Sequence, residues 1–189
     1  MTRTATPGRP RSETARLAVL HAVEDMLVET GYSAMTMKGI AERAGVGRQT
    51  VYRWWPTKAH ILIEACADDA RTVLTVTAHQ DPVRTITDFL VALVQFLTTS
   101  AAGAAYRALL GEAQHDAEVA GLFDKAELLA GPARAALEHV RRHFPGMPQD
   151  RLAAAELCGP IVLIVISGGS PPSFRDLRAH ADRLAAAWA

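Results

Sequence analysis

The sequence predicts an all-α protein, a short helix-turn-helix head on a longer helical body, with about nine helices in total. Three observations carry this. Apolar residues recur at steps of three and four along most of the chain, the mark of a buried helix face. Two short periodic segments flank Gly45-Val46-Gly47, as in two helices joined by a tight turn. The one β-prone run, Ile161 to Ile166, has no second strand to pair with, and a lone strand has nowhere to place its hydrogen bonds.

Taken in order, Ser12 caps a first helix whose inward face is Val19, Leu20, Val23, Met26 and Leu27, and Gly31 stops it. Thr36 caps a second, short helix with Met37, Ile40, Ala41 and Ala44 on one face. A third segment, Arg48 to Trp55, precedes Pro56. There Val51 and Trp55 are four apart and face inward together, which turns Gln49, Thr50 and Arg53 outward. Thr57 caps a helix from Lys58 towards Thr77. Asp81-Pro82 is a cap followed by an N1 proline, opening a helix with Ile86, Phe89, Leu90, Leu93, Val94 and Leu97 on one stripe. Gly103 and Gly111 bound a short piece with Tyr106, Leu109 and Leu110. Asp116 opens a helix through Val119, Leu122 and Phe123, which Gly131-Pro132 should kink or break. Ala133, Leu137, Val140 and Phe144 continue at helical spacing to Pro145-Gly146. Gln149 to Ser167 reads as a helix that is apolar on most sides towards its end, and one neighbour covering it is expected from another subunit. The last helix starts at Ser170-Pro171-Pro172-Ser173 and carries Phe174, Leu177, Leu184 and Trp188.

Composition bounds the function. The chain has 189 residues, 49% hydrophobic and 21% charged, which argues against global disorder. Its longest near-continuous apolar stretch, Leu157 to Ile166, holds Gly159 and Pro160 and falls short of the ~20 residues a membrane span needs. No apolar segment follows the N-terminal Met1, so no secretory signal is expected. Cys66 and Cys158 make neither a disulfide scaffold nor a four-thiolate zinc site, and the expected compartment is the cytoplasm. The formal net charge is +0, but it is unevenly spread. Residues 1–58 hold nine basic and five acidic side chains, +4, and the remainder holds 11 basic and 15 acidic, −4. A basic head on an acidic body suits a polyanion held at one end.

In a helix-turn-helix the second helix enters the major groove and shows its N-terminal residues to base edges. Arg48, Gln49, Thr50 and Arg53 suit that role, since Arg pairs with guanine, Gln with adenine, and Thr touches the thymine methyl. Tyr52, Trp54 and Lys58 are candidates for phosphates, as is the helix start at Thr36 with its free N–H groups. Lys38 and Gly47 complete the candidate set. Arg9 and Arg11 lie in a proline-containing basic arm, residues 1–11, suited to the adjacent minor groove.

The run Thr36-Met-Lys-Gly-Ile-Ala-Glu-Arg-Ala-Gly-Val-Gly-Arg-Gln-Thr-Val-Tyr-Arg-Trp-Trp-Pro-Thr-Lys58, with Gly31-Tyr32 before it and Ile61-Leu62 after, resembles the DNA-binding domain of the TetR family of bacterial transcriptional regulators. The resemblance covers about residues 10–65. Gly47 departs from it, standing where the family often has Ser, and Trp55 stands where Phe is usual. The resemblance implies a helix-turn-helix domain over residues 12–58 and a helical regulatory and dimerisation domain over 59–189. It assigns Tyr52, Trp54 and Lys58 mainly to phosphates, and Arg48, Gln49 and Thr50 to the groove. A looser likeness in the C-terminal half rests on Gly159-Pro160, the apolar run after it, Gly168-Gly169 and the proline-containing start of the last helix.

It further implies a homodimer formed by the last two helices, with Leu157, Ile161, Ile164, Val165, Phe174, Leu177, Leu184 and Trp188 as candidate interface residues. It also implies an effector pocket between the middle helices, with Phe89, Leu93, Phe96, Tyr106, Leu110, Gln114 and Phe123 as candidate lining. An apolar pocket with few polar groups favours a hydrophobic or aromatic small molecule. The expected function is a repressor on palindromic operator DNA, released by such an effector. A DNA-binding protein without an effector remains the alternative. An enzyme or metal protein is remote. His139 and His143 share a helical spacing but lack the intervening acid of His-Glu-x-x-His, and Gly45-Val46-Gly47 has no phosphate-loop lysine, so neither cofactor nor metal is expected.

Overall fold

The computed structural model describes residues 12–189, and within them all regular structure is helical: ten α-helices and one 3₁₀ turn. Helix α1 (Glu13–Ala34) starts after Ser12, whose side chain makes no capping hydrogen bond. Its inward face is Val19, Leu20, Val23 and Leu27, all buried. Helical dihedrals break at Gly31 (φ 76°, ψ 165°), where a side chain would be strained. Glycine thus ends the regular helix as its position predicts.

Helix α2 (Met37–Arg43) is capped by Thr36, whose Oγ1 accepts the Gly39 N–H at 3.1 Å. Gly45 turns the chain at φ 64°. Helix α3 (Arg48–Trp54) follows, with Gly47 as an N-cap that has no side chain to offer. Helix α4 (Lys58–Val73) leaves this head and packs on α1 and on α6 and α7 of the body. It ends at Leu74 rather than reaching Thr77. The run Val73-Leu-Thr-Val-Thr77 is rich in β-branched residues, which lose χ1 freedom in a helix.

Helix α5 (Pro82–Thr99) begins where Asp81 Oδ1 accepts the Val83 N–H at 2.9 Å. It meets α6 (Ala101–Glu112) at a bend of 79°. Ser100 sits at the corner, and its Oγ accepts the Gly103 N–H at 2.9 Å. Both Gly103 and Gly111 lie inside α6, so they do not bound it as the sequence suggests. Gly103 is needed for packing: an added Cβ would run into the Phe96 carbonyl. Cys66 Sγ donates to the Ala102 carbonyl at 3.2 Å and ties α4 to the same corner.

Helix α7 (Ala117–Ala126), capped by Asp116, ends at Glu127 (φ 45°). Helix α8 (Ala130–Glu138) then contains Gly131 and Pro132 in its first turn. A proline there removes an N–H that has no partner anyway, so the break falls at Glu127 instead of at Gly131-Pro132. Helix α8 stops at Glu138 and a 3₁₀ turn covers Arg141–His143, so His139 and His143 do not share a helix face. Helix α9 (Asp150–Ile166) contains the β-prone run as a helix. Helix α10 (Phe174–Trp188) opens with a capping box between Ser173 and Asp176, which holds the Asp176 carboxyl below its usual range. It packs on α5, and α8 packs on α9. One connected core runs from Val19 through Trp55, Phe89 and Phe96 to Trp188.

Candidate nucleic-acid interface and body cavities

Helix α3 is seated by two side chains. Val51 is fully buried and Trp55, just past its end, is 2% exposed. With that face spent, Arg48, Gln49, Tyr52 and Arg53 are exposed, Thr50 is half-buried, and Trp54 is half-buried edge-on to Trp55 at 5.5 Å. Lys38 and Gly47 are exposed, as is the capping Thr36. The structure therefore brings these nine predicted contact residues, and Lys58 with them, to one end of the molecule. Arg9 and Arg11 and the arm, residues 1–11, lie outside the described residues.

The cations of this end are not equally available. Arg43 forks onto Glu29 (2.6 Å to Oε2), lowering that carboxyl's pKa. Arg48 reaches Glu42 at 2.6 Å, both largely exposed. Lys58 is half-buried and points inward. Its Nζ donates to the Tyr32 carbonyl at 2.7 Å and the Met35 carbonyl at 3.2 Å, and it lies 4.0 Å from the Tyr32 ring centroid. Burial pushes its pKa down. It closes the end of α1, with at most one N–H left for phosphate. Lys38 and Arg53 make no ion pair among the described residues. The Arg48–Glu42 and Lys58–carbonyl contacts join residues at separations that no helical repeat marks, so sequence spacing does not show them.

A polar cluster fixes α3 to the body. The Trp55 indole N–H donates to Glu64 Oε2 at 2.7 Å, and Arg16 Nε donates to Glu64 Oε1 at 2.6 Å. Arg16 also bonds Asp68, which holds its proton more firmly. The cluster thus joins α1, α4 and the end of α3. Trp55 is where the family usually has Phe, which has no N–H to donate.

At the far end of the molecule the candidate interface residues separate into two groups. Leu157, Ile161, Leu177, Leu184 and Trp188 are buried in their own subunit, Leu157 completely. They are core, because α9 and α10 turn those faces onto α5 and α8. Ile164 and Phe174 are exposed and Val165 is half-buried. Leu152, Leu163 and Ile166, which the sequence reading did not single out, are exposed as well, Leu163 by 62%.

The candidate lining residues also scatter. Phe89, Leu93 and Phe96 are fully buried core. Leu110 and Gln114 border a groove with Val165 and Ile166. Tyr106 and Phe123 face a cavity of about 340 Å³ between α6, α7, α8 and α9. A larger cavity, about 610 Å³, lies between α4, the 74–76 connection, α7 and α8, and none of the candidates lines it. Its walls are small residues such as Ala67, Ala70 and Ala136, which carry no strong periodic signal. Among the described residues no group of three His, Cys, Asp or Glu is placed to hold a metal ion.

Helices α2 and α3 thus form a helix-turn-helix whose second helix stands outward on a helical body. Comparison with known proteins agrees. The family model described as "Bacterial regulatory proteins, tetR family" matches residues 19–65. The chain is 37% identical over 113 residues to the uncharacterized HTH-type transcriptional regulator YdeS of Bacillus subtilis, covering 60% of this chain and 57% of that protein. It is 40% identical over 52 residues to the HTH-type transcriptional repressor KstR of Rhodococcus jostii, covering 28% of this chain and 24% of that one. The match thus spans just over half of the first relative and about a quarter of the second. Among solved structures, the TetR family transcription regulator SCO0332 superimposes with a TM-score of 0.76 at 23% identity, covering 93% of this chain and 98% of that one. The likeness to the TetR family is thus carried in sequence by residues 19–65 and in fold by most of the chain.

Proposed function

We propose that the protein is a DNA-binding transcriptional repressor that acts as a homodimer on a palindromic operator and is released by a small hydrophobic or aromatic molecule. The observation that carries the DNA reading is α3. It presents Arg48, Gln49, Tyr52 and Arg53 outward from a seat made by two fully packed side chains, with Lys38 exposed on α2. The repressor named among its relatives favours repression over activation. The homodimer is supported by the exposed apolar residues of α9 and α10, Leu152, Leu163, Ile164, Ile166 and Phe174. A patch of this kind marks a protein contact surface, and a second copy of this chain supplies a self-complementary one. The effector is supported by the two cavities of the body. Binding there would shift the population of the DNA-competent form by the difference in affinity between the two states.

Selection from random double-stranded DNA tests the reading. A palindromic consensus is expected, with half-sites one turn or a multiple apart. Recovery of no enriched sequence would overturn it.

A further inference from the structure

The cavity between α6, α7, α8 and α9 is lined by a residue whose polar group has no partner among the described residues. Tyr106 is 93% buried, at 7% exposure, between Phe96 (ring centroids 6.5 Å apart) and Phe123 (5.1 Å). Among the described residues nothing hydrogen-bonds its hydroxyl, while every fully enclosed side-chain N or O of those residues has a partner. The hydroxyl therefore keeps some access to free space, and the cavity that Tyr106 lines is the space beside it. A buried hydroxyl left without a partner is costly, so the site is incomplete without a water or a ligand atom.

The remaining walls define the chemistry. Phe123, Leu128, Leu129, Ala154 and the buried Cys158 are apolar, and burial pushes the Cys158 thiol up to about 12, so it stays neutral. Four charged residues border the cavity, and they cancel in pairs. Arg134 bonds Glu127, and Arg151 bonds Asp124 at 3.1 Å. No uncommitted charge is offered to a ligand, and a ligand charge taken into these walls would lose its hydration without compensation. At about 340 Å³ the space lies near the lower end of the ≈300–1,000 Å³ of small-molecule sites.

We infer that this cavity is a binding site for a small, neutral aromatic carbonyl compound. Its ring stacks against Tyr106 and Phe123, and its carbonyl oxygen accepts from the Tyr106 hydroxyl. The role of the site as an effector site rests on the function proposed above; the binding itself does not.

The test is calorimetric titration of the full chain with 1-indanone and with its hydrocarbon counterpart indane. The wild-type protein should bind the ketone about three- to tenfold more tightly than the hydrocarbon, the range a single net hydrogen bond supplies. Tyr106→Phe should abolish that preference and leave indane affinity unchanged. Gly159→Leu provides a second variant, since an added Cβ at this cavity-lining position meets nothing within 4 Å. It should weaken both compounds together. No saturable binding of 1-indanone to the wild type, or a ketone preference that survives Tyr106→Phe, would overturn the inference. Binding of 1-indanone without any change in affinity for the selected DNA would leave the site standing and overturn only its regulatory role.

Discussion

Helix α3 and the second half of α9 are built alike and finished differently. Each buries one stripe in its own subunit, Val51 in the first and Leu157 with Ile161 in the second. On α3 the outward residues are Arg48, Gln49, Tyr52 and Arg53; on α9 they are Leu163, Ile164 and Ile166. Water solvates the first set and not the second. The polar face is therefore stable when exposed and free to exchange water for phosphate and base edges. The apolar face gains by being covered. The split in charge, +4 over residues 1–58 and −4 over the rest, follows the same division.

The comparison breaks most readily at α9. Leu163→Asp should weaken self-association by ~30-fold or more, the cost of truncating a central interface residue at about 2 kcal/mol or above. Sedimentation velocity would read it as a shift to monomer, with operator affinity lost alongside. An unchanged dimer would mean that some other face joins the subunits.

The next effect belongs to the head. Arg53→Ala should reduce affinity for the selected operator about tenfold and, if the contact is to phosphate, lower the salt slope by about one. Arg48→Glu should act similarly after its pair with Glu42 is lost, whereas Arg175→Glu on α10 should change affinity less than about twofold. Equal losses at Arg48 and Arg175 would show that the division of charge has no functional meaning.

A smaller effect sharpens how the head is held. Trp55→Phe keeps an aromatic ring in the seat and removes the N–H that reaches Glu64. It should cost about 1.5 kcal/mol of stability by urea denaturation, the range for a hydrogen bond to a charged group. No loss would mean that packing alone seats α3.

The smallest effect concerns Glu24, half-buried between α1 and α4. Desolvation, with Asp69 and Asp25 nearby, raises its pKa against the opposing pull of His21. The folded state therefore holds this proton more tightly than the unfolded chain does. The resulting penalty exists above the folded pKa and vanishes below the ordinary glutamate value. Glu24→Gln should raise the Tm slightly at pH 7 and leave it unchanged near pH 3.5. A gain of equal size at both pH values would contradict the assignment.

Much of this was readable in the residues, for stated reasons. Thr36 and Asp81-Pro82 announce helix starts because caps are local, and Val51 with Trp55 announces the seat of α3 because a buried face repeats at helical steps. What sequence hides is non-local. Gly103 reads as a helix end, but the Phe96 carbonyl beside it dictates its identity. Lys58 reads as a phosphate contact, but the acceptors it uses first lie 23 and 26 residues back. In α9 an apolar residue on every side says that the helix needs cover all round. It does not say which side its own subunit covers, so core residues such as Leu157 and Ile161 are taken for interface, and Leu163 is passed over.

The central claim is that two copies of α3, joined through α9 and α10, read DNA together. Inserting about half a helical turn, ~5 base pairs, between the half-sites of the selected operator tests it most directly. Rotating one half-site to the opposite side of the duplex should abolish tight binding, and inserting a full turn of ~10 base pairs should separate heads held at a fixed distance and also weaken it. Affinity that is indifferent to both insertions would contradict the account.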